Sequence, residues 1–292
     1  MQLGMNLPVM VPGLDRGLIL DWSRRVDAGP YASLAAGERI TFPNPEILVT
    51  LSAAAAVTER VKLVFDVLVL PMHPAPLVAK QVATLDVLSG GRVVLGVGVG
   101  AREEDYRAAG AVLDGRRFAR LDAQVALLRR AFAGEKVVEG ALRPVEPLPV
   151  QPGGPPIWAG ALGPRSIRRA AHWADGLAGF SFGPSAEEIG TAFERARQAW
   201  AEAGRPPPRL VTSFWFALGA GARAQLDAYL ERYLAFLGPG VAAKLAPTVS
   251  VTSAAALRDA ARRVADLGAD ELILVPTTSD PEEVDRVADL LG

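Results

Sequence analysis

The sequence alternates between short apolar runs and longer amphipathic segments, and this alternation restricts the fold more than any other feature of the chain. Eight apolar runs have the length of strands: Gln2–Leu7, Tyr31–Ala35, Lys62–Leu70, Arg92–Val97, Pro156–Gly160, Gly176–Phe180, Leu210–Leu218 and Glu271–Pro276. Several of them are apolar throughout, as parallel strands covered on both faces should be. Because helical patterns fill most of the gaps between them, the order predicts repeated β-α-β units.

The segments between the strands carry apolar residues at helical spacing. The clearest helical segments are Pro45–Thr58, Pro76–Leu88, Phe118–Phe132, a helix capped by Ser253 that runs to Leu267 and ends at Gly268, and a last one begun by Asp280-Pro281-Glu282. Eight strands with intervening helices in 292 residues suit a closed (β/α)8 TIM barrel better than an open sheet. We therefore expect an α/β protein with one barrel domain over residues 1–292.

Two stretches interrupt the regular alternation. Gly134–Pro155 is rich in proline, and we interpret it as an insertion between strands four and five because barrel strands follow it. Gly238–Thr252 is the second irregular stretch. The sequence leaves open whether it forms a lid or a surface connection.

Composition argues against several classes of function. The formal net charge of −1 gives no reason to expect nucleic acid or an anionic membrane as a partner. No apolar run reaches the roughly 18 residues of a membrane helix. The absence of cysteine excludes disulfides, thiolate nucleophiles and cysteine-ligated metals. The first residues do not resemble a signal peptide, so we expect a cytoplasmic protein.

The glycine-rich loop after the fourth strand is the first candidate site. A barrel of this kind carries its site on the loops at the carboxyl ends of the strands. This loop contains Gly96-Val97-Gly98-Val99-Gly100. Glycines let the backbone approach a flat ring or a phosphate, and they also form tight turns between a strand and a helix. The spacing is not the G-x-G-x-x-G of dinucleotide-binding folds, so both interpretations stay open.

The loop after the fifth strand is the second candidate, and it leads into a basic helix. It reads Ala161-Leu162-Gly163-Pro164-Arg165-Ser166. A helix N-terminus presents free amides to a phosphate, and Arg165 can add a charge-assisted contact. An ordinary helix start explains the same pattern equally well.

Few titratable residues fall near these loops. His73 follows the third strand, where it can donate to a substrate or ring oxygen, whereas His172 lies within a helix and is interpreted as structural or exposed. Two histidines far apart, with no carboxylate pattern nearby, predict no metal site.

Asp66 lies within the apolar third strand, so its carboxyl must find donors or have a raised pKa. It is either functional or a satisfied structural acid. Glu103 and Glu104 are interpreted as exposed residues at a helix start.

Several motifs around these loops occur together in a known family. They are Pro43-Asn44-Pro45-Glu46, Ala54–Leu63, His73-Pro74, Leu77–Asp86, Leu88–Gly100, Pro156–Gly160 and Ala170–Gly176. Through these motifs, over about residues 40–180, the chain resembles the luciferase-like monooxygenase family. Each motif alone is weak, and together they are specific.

The resemblance implies a barrel that binds FMN or the deazaflavin coenzyme F420 and acts on a small organic molecule. It implies that the residues at the cofactor are Val99 and Gly100 beside the ring, and Gly160, Ala161, Leu162 and Gly163 at the phosphate. The phosphate position agrees with the separate interpretation of Arg165 and Ser166. The resemblance also implies a cis peptide between Asp66 and Val67, behind the ring. A homodimer is implied too, and an FMN monooxygenase would require a separate flavin reductase.

The sequence departs from the deazaflavin dehydrogenases of this family at two places. Those relatives carry an Asp-His pair after the second strand, where this chain reads Gly37-Glu38-Arg39, and an acidic residue after the strand-four glycines, where this chain has Ala101. Their sugar-phosphate chemistry is therefore not carried over. We expect instead that Arg39 orients an anionic substrate or a ring oxygen, that Glu38 pairs with Arg39, and that His73 donates a hydrogen bond.

Three alternatives remain at this stage. The first is the same fold acting as an FMN monooxygenase. The second is a catalytically silent flavin-binding member, because the acid–base set is weak. The third is a cofactor-free barrel lyase or hydrolase, although lysines are few at the strand ends, which disfavours a Schiff-base aldolase.

Overall fold

Eight parallel strands form a closed barrel in chain order in the described residues, and this confirms the predicted (β/α)8 fold. The computed structural model describes residues 1–292, apart from the side chain of Pro239. The strands are β1 Gln2–Asn6, β2 Ser33–Ala36, β3 Lys62–Val69, β4 Val93–Gly98, β5 Ile157–Ala159, β6 Gly176–Phe180, β7 Arg209–Phe216 and β8 Glu271–Pro276. The barrel closes where β1 pairs with β8, with Gly4 beside Ile273.

Helices follow the strands around the outside of the barrel. They are α1 Arg16–Ala28, α2 Ile47–Ala55, α3 Ala75–Leu88, α4 Glu103–Ala108, α5 Arg117–Phe132, α6 Pro164–Ala170, α7 Ala186–Glu202, α8 Ala222–Leu234, α9 Pro239–Leu245, α10 Ala254–Asp266 and α11 Glu282–Leu291. Residues 133–156, between α5 and β5, lie in turns and irregular structure. None of the described helices combines the length and the apolar character needed to cross a bilayer.

Side-chain caps explain where several helices begin. Asp15 accepts from the amide of Leu18 at the start of α1, and Ser253 caps α10 as predicted, accepting from the amide of Ala256 at 3.2 Å. Gly268 follows the end of α10 with φ of +80°, a conformation that favours glycine. Glu46 caps α2, so this helix starts after Glu46 and not at the predicted Pro45.

The strand ends differ from the predicted ones where an apolar residue packs outside the sheet. Tyr31 was predicted in β2, but its hydroxyl donates to the carbonyl of Val284 in α11. Leu218 was predicted in β7, but its amide donates to Glu283 at 2.7 Å. Both residues are buried, so their hydrophobicity alone could not distinguish a strand from a loop that packs against a helix.

Side chains fill the middle of the barrel and leave its upper end open. The filling residues are Ala35, Val64, Val94, Trp158, Ala178, Val211 and Ile273. Beyond this layer, toward the carboxyl ends of the strands, the interior is lined by the polar side chains of Asn6, Asp66 and Ser213. The change from apolar to polar lining marks the floor of a cavity.

A second apolar cluster covers one side of this open end. It centres on Trp215 of β7 and on Leu226, Tyr229 and Leu230 of α8, and is separate from the main core between strands and helices. Arg223 of α8 donates to the carbonyl of Val249, which joins the helix to the second irregular stretch. That stretch forms α9 and the 3-10 turn Ala246–Thr248, and its backbone comes so close to Gly183 that a Cβ there would clash with the carbonyl oxygen of Thr248.

Candidate active site

A cavity of about 510 Å³ opens at the carboxyl ends of the barrel strands. Its volume falls in the range of about 300–1,000 Å³ that is typical of small-molecule sites. The predicted site residues that line it are Glu38, Asp66, Val67, Val99, Gly100, Gly160, Ala161, Leu162, Gly163 and Ser166. Three predicted residues, Arg39, His73 and Arg165, do not line it.

The side chain of Val67 forms part of the cavity wall together with two glycines. The Asp66–Val67 peptide is cis, as the resemblance implies, and the pairing of β3 with β4 is irregular between Phe65 and Leu68. A Cβ on Gly98 would lie 3.0 Å from Val67 Cγ2, and one on Gly160 would lie 3.1 Å from both methyl groups of Val67. We call Val67, Gly98 and Gly160 the valine platform.

The valine platform gives the glycines a role that the sequence did not predict. The glycine-rich loop was interpreted either as room for a ring or phosphate, or as a turn. Gly98 and Gly160 make room for Val67, a neighbour within the protein. Gly100 supports the turn interpretation, because its φ is +60° and a Cβ there would lie 2.7 Å from Val69 Cγ1.

Asp66 lies at the floor of the cavity with a strongly shifted pKa. Burial raises the pKa of its carboxyl to about 7, the charge of Glu271 adds to the increase, and a hydrogen bond with Ser213 opposes it. The side-chain Nδ2 of Asn6 donates to Asp66 Oδ2 at 3.4 Å. This carboxyl can therefore hold or release a proton near neutral pH, at a point that faces the cavity.

Glu38 pairs with His73, which corrects the prediction that it pairs with Arg39. His73 Nε2 lies 2.8 Å from Glu38 Oε1, and Glu38 Oε2 accepts from the amide of Val69 at 2.7 Å. Burial alone would lower the pKa of His73, but its hydrogen bond with Glu38 and the charge of Glu38 outweigh burial and raise it. Glu38 lines the cavity, and His73 supports it from outside.

Arg39 does not line the cavity, and it pairs with Asp105. Its Nε donates to Asp105 Oδ2 at 3.2 Å, and its guanidinium carbon lies 4.4 Å from the centre of the Phe42 ring. Asp105 also accepts from the amide of Thr41 at 2.7 Å. Arg39 is thus engaged by Asp105 outside the cavity lining, and its role in orienting a substrate stays a prediction.

The loop after β5 reaches the cavity, but its polar groups are already partly engaged. The amide of Gly163 donates to Ser166 Oγ at 3.2 Å, and the Ser166 hydroxyl donates back to the Gly163 carbonyl at 2.8 Å. Arg165 is exposed and lies outside the lining. The positive charge at this side comes instead from Arg117 and Arg169, which both line the cavity.

Arg117 and Arg169 were missed by the sequence analysis. Arg117 Nε is buried and has no hydrogen-bond partner among the described residues, and Arg169 pairs with Asp122. The helical period puts Arg165 and Arg169 on one face of α6, so the sequence contained a signal for this face. It did not indicate that Arg169, and not Arg165, reaches the mouth of the barrel.

Aromatic side chains form the other side of the cavity, and these too were missed. We call this set the aromatic wall: Phe180, Phe182, Trp215, Tyr229, Tyr233 and Phe236. The ring centroids of Trp215 lie 4.8 Å from those of both Phe180 and Tyr233. Tyr229 and Tyr233 stack at 5.8 Å. Their spacing of four residues on α8 was the only signal, and it is also that of an ordinary buried helix face.

The cavity therefore has two chemically different sides. One side, from β3 to β5 and the segments after them, carries the valine platform, the loop after β5 and two arginines. The other side, from β6, β7 and the segments after them, carries the aromatic wall. Among the described residues, no group of three or more histidine, aspartate or glutamate side chains is placed to hold a metal ion.

Comparison with known proteins identifies a family match over nearly the whole chain. A family model described as luciferase-like monooxygenase matches residues 8–290. An uncharacterized protein of Mycobacterium tuberculosis is 34% identical over 172 residues, which cover 57% of this chain and 58% of that protein. An F420-dependent glucose-6-phosphate dehydrogenase of Beutenbergia cavernae is 38% identical over 140 residues, which cover 46% of this chain and 41% of that protein. The chain thus spans about half the length of these relatives.

Solved structures share the complete barrel. The crystal structure of the monooxygenase RslO1 from Streptomyces bottropensis has a TM-score of 0.82 at 24% identity, covering 99% of this chain and 97% of that one. Other structures with this fold are described as complexes with an F420–acetone adduct or with FMN. At these identities the structures establish the fold and leave the ligand open.

Proposed function

The chain belongs to the luciferase-like monooxygenase family, and from that premise we propose that it is an oxidoreductase that uses coenzyme F420 or FMN to transform a small organic molecule. The observation that carries the proposal is the cavity at the carboxyl ends of the strands, where a barrel enzyme builds its site. Nine of the ten predicted cofactor-binding residues line this cavity.

The residues of the cavity fit a flat ring with an anionic tail. The valine platform supplies an apolar surface. The side chain of Val67 forms this surface, because Gly98 and Gly160 beside it have no side chains. Arg117, with its buried and unpartnered Nε among the described residues, and Arg169 can bind a phosphate near Ser166. Gly160, Ala161, Leu162 and Gly163 supply backbone at the same end. Arg165, predicted to bind phosphate, is replaced in this proposal by Arg117 and Arg169.

When bound, the cofactor supplies the redox chemistry, and the protein supplies orientation, electrostatics and exclusion of water. Asp66 lies at the floor with a pKa of about 7, so it can exchange a proton with a group in the cavity. Glu38 presents a carboxylate to the cavity, and His73 holds this carboxylate in place as a positioning residue. These assignments give the site the acid–base groups that the sequence alone left undefined.

Coenzyme F420 is the first candidate because a sequence relative at 38% identity is named for its dependence on it. FMN is the second candidate, and the likeness of the fold to a monooxygenase and to an FMN complex favours it. For an FMN monooxygenase, a separate flavin reductase is the implied partner. We also propose that the protein forms a homodimer in the cytoplasm.

Titration of the purified protein with F420 and with FMN tests the proposal directly. We expect one of them to bind with micromolar or tighter affinity by fluorescence. Arg117→Met should weaken that binding about tenfold, the loss expected for one charge-assisted hydrogen bond. Arg116→Met, at the neighbouring exposed position, is the matched control and should bind normally.

The same titration separates the alternatives. If neither cofactor binds, the proposed function is wrong and a cofactor-free lyase or hydrolase becomes the better explanation. If a cofactor binds but Asp66→Asn and Glu38→Gln leave turnover of every tested substrate unchanged, the acid–base assignment is wrong. Binding without any turnover would identify a silent flavin-binding protein.

A further inference from the structure

An arginine beside the aromatic wall, Arg102, forms no ion pair with a carboxylate of the described residues. Arg102 lines the cavity, and its guanidinium carbon lies 4.1 Å from the centre of the Phe236 ring and 5.1 Å from that of Tyr233. The two carboxylates that follow it in the chain pair with other arginines, Glu103 with Arg107 and Glu104 with Arg39. The buried Nε of Arg102 has no hydrogen-bond partner among the described residues.

Stacking leaves the donors of Arg102 available. A guanidinium that lies over an aromatic ring uses its face, whereas its N–H groups point outward in its own plane. Arginine has five such donors and no acceptor, and it stays protonated throughout the working range of pH. Whatever binds against Arg102 must therefore present an acceptor, and an anionic oxygen is the strongest one.

Tyr229 provides a second donor on the same wall. Its side chain is only 1% exposed, it lines the cavity, and its hydroxyl has no hydrogen-bond partner among the described residues. Burial raises the pKa of Tyr229, so the phenol stays protonated and can donate. The indole N–H of the nearby Trp215 is itself a donor and cannot accept that proton.

A second cation lies behind Arg102. The guanidinium carbon of Arg39 is 5.7 Å from the same Tyr233 ring, and Arg39 is 5% exposed with an unpartnered Nη1 among the described residues. Burial and the charge of Arg102 lower the pKa of Arg39, while Asp105 opposes this effect. Asp105 and Glu104 both pair with Arg39, and no carboxylate of the described residues pairs directly with Arg102.

We infer that the aromatic wall is the substrate side of the cavity and that it binds a planar aromatic compound with an anionic oxygen, such as a carboxylate or an ionised phenol or enol. The rings of Trp215, Tyr233 and Phe236 contact the planar body, because aromatic faces and edges pack well on one another. Arg102 and Tyr229 bind the oxygen. This inference rests on the proposed function, in which a different pair of arginines, Arg117 and Arg169, binds the cofactor.

Calorimetric titration with matched probes tests the inference. The probes are 2-naphthoate, its neutral analogue 2-naphthalenemethanol, and octanoate, which keeps the charge and lacks the rings. We expect 2-naphthoate to bind the protein, with or without cofactor, at least about tenfold more tightly than either other probe. Equal affinity for 2-naphthoate and 2-naphthalenemethanol, or no binding of 2-naphthoate, would overturn the inference.

Variants locate the binding site. Arg102→Met should weaken binding of 2-naphthoate about tenfold and leave 2-naphthalenemethanol unchanged, and Tyr229→Phe should weaken 2-naphthoate several-fold while keeping the ring. Arg107→Met is the matched control, because Arg107 lies on α4, which begins directly after Arg102, and pairs with Glu103 at the exposed surface. A variant R102M that binds 2-naphthoate normally would overturn the inference. If this variant does not fold, the comparison of probes and the Tyr229→Phe variant still decide.

The outcome is independent of the cofactor titration. If neither F420 nor FMN binds and 2-naphthoate binds as described, the proposed function fails and the aromatic anion site stands. If a cofactor binds and displaces 2-naphthoate, the two ligands share one side of the cavity, and the assignment of the aromatic wall to substrate is wrong.

Discussion

Asp66 links the chemistry of the cavity to the stability of the fold. Its pKa is raised to about 7 from an ordinary value of 3.8, so between these pH values the folded protein holds a proton that the unfolded chain releases. The contribution of Asp66 to stability is therefore fully present below about pH 4 and is lost as the pH rises through about 7. Ionised Asp66 at pH 8 costs on the order of 1–3 kcal/mol, reduced from the full shift because the carboxyl faces the cavity.

Replacing Asp66 by asparagine should remove this cost. We expect Asp66→Asn to raise the free energy of unfolding at pH 8 relative to the unchanged protein, and to have a smaller or opposite effect at pH 5. Urea unfolding at the two pH values measures the difference. Asp227→Asn is the control, because Asp227 pairs with Arg223 at the surface and has a lowered pKa. A stability difference that is the same at both pH values would contradict the role given to Asp66.

The His73–Glu38 pair should stabilise the folded protein less as the pH rises. Because the folded pKa of His73 lies above 6.5, its stabilising contribution is fully present below about pH 6.5 and is lost as the pH rises through the raised value. We expect His73→Gln to cost on the order of 1–2 kcal/mol at pH 6 and less at pH 9.

The chain supplies its own control for this measurement. His172 is the only other histidine and is exposed, so His172→Gln should change stability little at either pH. If the loss of unfolding free energy in His73→Gln is larger at pH 9 than at pH 6, the stabilising role given to protonated His73 is wrong.

At the residue scale the sequence predicted Asp66 and Glu38 as candidates but not their partners. The conflict between a carboxylate and an apolar strand was visible, and the structure resolves it by a raised pKa and by Asn6 and Ser213. Glu38 and Arg39 are adjacent, which suggested a pair, but successive residues of an extended chain point to opposite sides. Glu38 therefore turns to His73 and Arg39 to Asp105.

At the scale of elements, the valine platform couples strands β3 and β4 with the residue that follows β5, three positions that are distant in sequence. Gly98→Ala should push against Val67 Cγ2, which lies 3.0 Å from the added Cβ, and we expect a loss of about 1–3 kcal/mol from overpacking. The same change should weaken cofactor binding. Denaturant unfolding and cofactor titration provide the two measurements.

The double variant Gly98→Ala with Val67→Ala should regain most of the lost stability, because the methyl groups that clash are removed. Gly115→Ala is a suitable control, since no atom lies within 4 Å of the added Cβ and its φ is not positive. If the two changes at the valine platform are simply additive, Val67 does not explain the need for glycine at position 98.

The elements themselves were largely predictable, and the aromatic wall was not. Strand and helix periods are local features of the sequence. Every predicted strand therefore has a counterpart in the structure whose first and last residues lie within two residues of the predicted ones. The aromatic wall depends on α8 folding back over β7, which is a long-range event. Along the chain, Tyr229, Tyr233 and Phe236 resemble the buried side of any amphipathic helix.

At the scale of the whole molecule, assembly is the property that remains to be measured. We expect sedimentation at micromolar concentration to give twice the mass of the 30.8 kDa chain, as the family resemblance implies. Exposed apolar side chains on the adjacent helices α2 and α3, Val49, Leu77 and Leu88, offer a surface for a second copy. The double variant Val49→Lys with Leu88→Lys should sediment as a monomer. A dimer that persists in this variant would place the interface elsewhere.

Apart from Arg102, the residues named on the two sides of the cavity come from successive stretches of the chain. The valine platform and the arginines of α5 and α6 lie between residues 67 and 169, and the aromatic wall lies between residues 180 and 236. A genetic crossover in the short interval between them would join aromatic residues of another barrel to an unchanged Arg102 and to the unchanged residues of the proposed cofactor side. Under the proposed function, recombination at this interval would change the body of the compound that is bound and keep the cofactor site, and chimaeric genes joined there would test that separation.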